Sequence, residues 1–381
     1  MITLQRVCIL LSFVLLTACE LQAGSEDKHP LADMPLRSIG PALTSGRIAD
    51  FAFHPDKQET YYVAVASGGV WKTTNDGISW EHVFKNEGSY ATGVVVLKPS
   101  NPEVVWVGSG ENNSQRSVGF GDGVYRSLDG GKSWQNLGLK DSGHISMIRF
   151  DPRDDNTVYV AAQGPLWNSG GDRGLYKSTD AGANWEAVLT VDADTGVNEF
   201  VIHPQRPDTL LASTYQRRRH VWTLINGGPG GGIHKSDDGG KTWREISSGL
   251  PEGDMGRIGL AAAPSNPAVV YAIVEAAEDE KGVYRSTDFG EHWVKQSSQM
   301  TTSPQYYNEI VVDPKDADRL YSLDTFSQVS EDAGKTWTRL SFTNRHVDDH
   351  ALWIDPANTD HLIIGGDGGI FESFDRGQLW R

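Results

Sequence analysis

Ser127-Leu128-Asp129-Gly130-Gly131-Lys132-Ser133-Trp134 has the composition of a tight turn that runs into a strand. The Asp carboxylate can accept hydrogen bonds from turn N–H groups, as in an Asx turn. Gly supplies a positive φ at no steric cost. The Trp opens the next strand and buries a large ring. One copy of Ser/Thr-x-Asp/Asn-x-Gly-x-x-Trp says little, but seven occur, beginning at Thr73, Ser127, Ser178, Ser236, Ser286, Ser330 and Ser373. Their side-chain acceptors are Asn75, Asp129, Asp180, Asp238, Asp288, Asp332 and Asp375, assigned here to turn building rather than catalysis. The closing tryptophans, Trp80, Trp134, Trp185, Trp243, Trp293, Trp337 and Trp380, follow one another at 43 to 58 residues.

A second marker repeats in step. An apolar stretch ends in x-Pro at Pro55, Pro99, Pro152, Pro204, Pro264, Pro314 and Pro356. Proline cannot donate to a sheet ladder, so it marks a strand end. A second apolar strand follows it, a third runs into the box, and the Trp begins a fourth. The chain therefore reads as an all-β, seven-bladed β-propeller of four-stranded antiparallel blades over residues 36–381. One such sheet cannot bury both faces, whereas a closed ring can. The last box ends at Trp380 and only Arg381 follows, so blade seven is expected to lack its fourth strand. Either Leu36 to Ile39 supply that strand, or the chain is the front part of a longer protein.

The N-terminus is a targeting segment. Arg6 precedes an apolar run from Val7 to Leu16, too short to span a bilayer. The ending Leu16-Thr17-Ala18-Cys19 resembles a bacterial lipobox. That resemblance implies a signal peptide at 1–18, a lipidated Cys19, a flexible tether at 19–35, and outer-membrane or cell-surface attachment through lipid alone. Cys8 and Cys19 are the only cysteines, so the mature domain would hold no disulfide and no thiolate metal site. A net charge of −16 repels nucleic acid and anionic membranes, and no nucleic-acid partner is expected.

The marker spacings also give the ring a polarity. From Trp to the next Pro the count stays at 18 to 21, while from Pro to the next Trp it ranges from 23 to 39. The variation lies between strands two and three, on the face opposite the boxes, and binding residues concentrate on such loops. The long ones are Glu111 to Asp122, Gln163 to Arg173 and Tyr215 to Gly231. They carry Arg116, Trp167, Arg173, Arg217 and Trp222, and the two tryptophans suit stacking on sugar rings. The lead-ins to the first strands add Arg47, His144, Arg257, Tyr306 and His350 as ligand-binding candidates. Carboxylates placed on this face are Glu111, Asp122, Asp172, Glu199, Asp348 and Asp349, and no feature selects a catalytic pair. His346, Asp348 and His350 alternate as a metal-binding strand would, but that pattern is common by chance. Neither a metal nor a cofactor is expected.

The repeat units resemble the BNR/Asp-box repeats of sialidases, xyloglucanases, the sortilin N-terminal propeller and a photosystem II assembly factor. The resemblance covers residues 37–381 and is nearest to large bacterial exported proteins labelled BNR-repeat glycosyl hydrolases or sortilin N-terminal-like. It rests on Arg37 to Pro41, Gly68 to Thr73, Gly108 to Asn113 with Gln115 to Ser117, and His346 to Pro356 followed by Gly366-Asp367-Gly368-Gly369. Sialidases carry Arg-Ile-Pro, whereas Arg47-Ile48 and Arg257-Ile258 lack the Pro. The expectation is a surface-anchored propeller that binds a glycan or protein on its loop face. The alternative is a glycoside hydrolase acting on xyloglucan or a related β-glucan through two carboxylates.

Overall fold

A computed structural model describes residues 46–381. These form seven antiparallel sheets arranged as a seven-bladed β-propeller. The expected signal peptide at 1–18, the expected lipidation at Cys19, the expected tether at 19–35 and the Leu36–Ile39 segment lie outside the described residues.

The first strands of the blades are Ile48–His54, Thr92–Lys98, Ile145–Asp151, Thr195–Ile202, Ile258–Ala262, Glu309–Val312 and Asp349–Ile354. They line the centre, and the last packs beside the first, which closes the ring. Phe53 stacks on Trp353 at this joint (3.8 Å between centroids), and Gln58 donates to Asp355 across it (3.0 Å). Five sheets have four strands. Two depart from the expected number. Blade four has a fifth strand, Leu224–Asn226, paired with an overlong second strand, Leu210–Arg219. Blade seven has three described strands. Arg381 exchanges both backbone hydrogen bonds with Glu372 (3.0 Å each), the pairing that begins a fourth strand in the other blades.

Every box builds the same turn. The Ser or Thr hydroxyl accepts from the Gly N–H four residues on, from Gly77 to Gly377. The acceptor residue takes the N–H of the residue before the Trp, as Asp129 does from Ser133 (2.9 Å). Bonds from Ser133 and Ser127 hold the Asp129 carboxylate down at about 2, although it is solvent-exposed. Such carboxylates are satisfied where they stand and face away from the loops.

Apolar side chains fill the space between neighbouring blades. Trp134 meets Phe84 edge-on at 5.1 Å, and Trp185 meets Trp106 edge-on at 6.4 Å. Trp293 and Trp380 are buried in the clusters around blades four to five and six to seven. Since each sheet is covered on both faces, the strands read as apolar runs such as Val104 to Val107 rather than as alternation.

Candidate functional site: the axial cluster and the loop face

The second strand of each blade delivers a polar residue to the loop face just after it ends. Glu111 follows Asn101–Ser109, Glu275 follows Val270–Val274, Asp324 follows Leu320–Leu323 and Asp367 follows Leu362–Gly366. The lead-ins to the first strands approach from the same side. Gly110 has a φ of 85°, and a Cβ there would collide with the Gly143 carbonyl. That close approach sends Glu111 inward over the axis.

Arg47 gathers the cluster. It pairs with Glu111, donates to the Tyr306 hydroxyl (2.7 Å) and lies 3.6 Å from Asp367. Asp367 also meets the Tyr306 hydroxyl (3.3 Å) and His350 Nε2 (3.1 Å). His350 stacks on Tyr307, whose hydroxyl donates to Asp348 (2.7 Å). Glu111 is buried and is additionally bonded by Ser67, Asn113 and the Gly119 N–H. Asp367 differs from it, keeping 36% of its side chain open to solvent. Burial works against the Asp367 charge, but the His350 bond and Arg47 hold its carboxyl below the ordinary range.

The blade-two loop forms a strap over the axis. Asn112 donates to Glu309 (3.3 Å) and the Ser114 N–H to Gln305 (2.9 Å), which ties blade two to blade six. Arg217, fully buried in blade four, donates to the carbonyls of Asn113 (2.9 Å) and Gly164 (3.2 Å). Arg219 donates twice to the Ser114 carbonyl. Arg173 turns inside its own loop onto the carbonyls of Gln163, Pro165, Gly170 and Asn168. Thus the three long loops are fastened together by guanidinium groups that solvent scarcely reaches.

Below the strap lies a cavity of about 540 Å³. Its lining runs from Asn112 and Arg257 down to Pro152 and Pro204 on the box side, and includes Asp50, Arg149, Glu199 and Glu309. Burial raises all three acids: Asp50 to about 6, Glu199 to about 7 and Glu309 to about 8. Arg257 is buried among them, 3.6 Å from Glu309 and bonded to Asn198. Glu199 and Glu309, able to hold a proton at neutral pH, therefore sit in the channel, while Asp367, open to the loop face, is an anion.

The other expected residues are scattered. His144 is buried and bonds the Glu111 carbonyl (2.7 Å); burial, with Arg217 next, keeps it neutral. Asp122 takes the Tyr125 hydroxyl (2.7 Å), Asp172 takes the Asp141 N–H (3.0 Å), and Asp349 pairs with Arg345 (2.6 Å). Asp349 also accepts from Ser327 of blade six (2.6 Å), so each of these three is already engaged. His346, Asp348 and His350 do not alternate on a strand, because Asp348 has a φ of 68° and the strand begins only at Asp349. Arg116, Trp167 and Trp222 are exposed, the rings by 42% and 83%. Asp367, Glu309 and Asn198 were not among the expected site residues. The signal for Asp367 was its place directly after a second strand, close to the place Glu111 holds two residues past its own.

Residues 122–225 match the family described as "Sortilin, neurotensin receptor 3". The chain is a seven-bladed Asp-box β-propeller that resembles the sortilin family over this stretch. It is 25% identical, over 71% of its length, to a probable oligoxyloglucan-reducing end-specific xyloglucanase of Neosartorya fischeri, covering 36% of that protein. It is 27% identical over 56% of its length to a Paenibacillus xyloglucanase, covering 21% of that one. The propeller thus spans about a third or less of the length of these relatives. Among solved structures, the fold matches the Niastella koreensis GH74 enzyme with a TM-score of 0.58 at 16% identity, covering 88% of this chain and 58% of that one. It also matches YCF48 from Cyanidioschyzon merolae with a TM-score of 0.55 at 14% identity, covering 88% and 98%.

Proposed function

We propose that the loop face of this propeller grips a neutral β-glucan of the xyloglucan class, as the substrate-holding part of a glycoside-hydrolase-type protein. The observation that carries this reading is the axial cluster. Arg47, Tyr306, His350 and the half-open Asp367 present donors and acceptors where three rigidly fastened loops meet. Sites of this kind fix a sugar's orientation through a few placed polar groups. The named activity of the relatives supports the substrate class.

Hydrolysis by this face is a second reading, and the relatives' names favour it over a bare binding role. Its carboxylates would be Glu111 and Asp367, which share Arg47. A glycosidase needs one carboxyl with a raised pKa to protonate the leaving group. Asp367, the open carboxylate, is shifted the other way, while the loop-face acids that burial raises, Glu275 and Asp349, are tied to Asn226 and Arg345. That split supports holding over cleaving. Export and lipid attachment at Cys19 belong to the same proposal, and metabolic labelling with a fatty acid would test them against Cys19→Ser.

Affinity electrophoresis through xyloglucan, with reducing-end release measured in parallel, separates the readings. Retardation without release is the expected result. Release that disappears in Asp367→Asn would establish hydrolysis instead. Neither retardation nor release would overturn both.

A further inference from the structure

The hairpin that lengthens blade four has no counterpart in the other described blades, and neither blade packing nor the axial cluster uses its tip. Arg217 pairs with Asn226, Arg218 with Ile225 and Arg219 with Leu224. His220 and Thr223 then close a two-residue turn through reciprocal backbone bonds (2.8 and 3.3 Å). Val221 and Trp222 form that turn and are 86% and 83% exposed. The Trp222 ring is backed by His220, stacked at 5.4 Å and 12°.

The finger is fixed to its neighbours. The Arg219 N–H donates to the Leu166 carbonyl (2.8 Å), and Trp167 follows directly. Leu166 itself is buried, so Trp167 projects from an anchored segment. Only His220 and Val221 separate Arg219 from Trp222, so Trp222 stands within about 10 Å of the anchored strand end. Two exposed indoles therefore lie on adjoining, immobilised segments, both continuous with the strap over the axis. Polar groups border them: Arg218 reaches Ser169 and Asp194, and Asn168 is exposed beside Trp167.

We propose that Trp222 and Trp167 form a second glucan-contact site, outward from the axial cluster, stacking on the pyranose faces of a chain that continues from it. The inference rests on the glucan-binding reading of the loop face. A ring held before binding loses little freedom when a ligand arrives, which is how fixed aromatics gain affinity. The polar border suits the hydroxyls around a sugar face, and breaks up the continuous apolar area that a second copy of the chain would need. The net charge of −16 selects a neutral polymer over an acidic one.

The test compares wild type, Trp222→Ala, Trp222→Tyr and Trp167→Ala by affinity electrophoresis in long-chain xyloglucan, and by titration with one short xyloglucan oligosaccharide. Trp222→Ala is expected to weaken long-chain retardation about tenfold. Trp167→Ala should weaken it less, and Trp222→Tyr should keep most of it. Oligosaccharide binding should stay unchanged in all three. Because the Trp222 ring is exposed, the fold should survive its removal, and circular dichroism checks this. If wild type is retarded and Trp222→Ala is retarded equally, the second site is refuted and the axial reading stands. If wild type is not retarded at all, both fall. If Trp222→Ala instead changes only self-association on a sizing column, the finger is a contact between copies and the proposal is overturned.

Discussion

The two faces of this ring are built by opposite rules. On the box face the Asp or Asn of each box is bonded by neighbours within four residues, as Asp129 is by Ser127 and Ser133, and the arrangement repeats seven times. On the loop face the bonds cross the ring, from Arg47 to Tyr306 and from Arg217 to Asn113, and no blade repeats another. Local bonds make a scaffold that each repeat can supply for itself. Cross-ring bonds make a unique constellation, which is what recognition of one ligand requires. The difference separates residues that hold the protein together from those that give it a task.

Several substitutions would break or sharpen that contrast. The largest effect should come from the packing both faces share. Trp293→Ala opens a cavity between blades and should cost about 3–5 kcal/mol in urea unfolding, with glucan binding lost only as the fold is lost.

Next comes the channel. Asp50, Glu199 and Glu309 all titrate above their ordinary range. Between the ordinary carboxylate value and about 8 these three acids hold protons that they release on unfolding, so their contribution to stability falls as pH rises through that window. Neutral His144 contributes the opposite slope around the ordinary imidazole value. Glu309→Gln should flatten the fall and stabilise the protein at pH 8, as read from melting temperatures across pH. An unchanged slope would remove the channel acids from the stability balance.

Arg217→Ala should cost about 1.5–3 kcal/mol, since its charged bonds join three loops. Limited proteolysis should then cut within residues 111–122 and 163–173 first, and glucan retardation should weaken. Asp129→Ala should cost only about 1 kcal/mol and leave retardation untouched. Equal effects of the last two on binding would erase the distinction between the faces.

Much of this was legible in the repeat. Seven boxes fix the blade number, and the constancy of the Trp-to-Pro spacing assigns the variable loops to one face. Arg217 shows what was harder. It lies in a stretch with the composition of a binding loop, Tyr215 to Gly231. The second strand of blade four continues through it, and strand alternation buries Arg217 and Arg219 while Arg218 stays partly open. The period of two was present, but a strand of ten residues exceeds its counterparts in the other blades. Asp367 was obscured for another reason. Its partners Arg47, Tyr306 and His350 come from blades one, six and seven, and only ring closure brings them together.

The central claim is that ligand recognition belongs to the loop face alone. Amide hydrogen exchange with and without a xyloglucan oligosaccharide tests it directly. Protection should rise in residues 111–122 and around Arg47, Tyr306 and Asp367, while the seven box turns exchange as before. Protection at the boxes, or no change anywhere at saturating oligosaccharide, would contradict it.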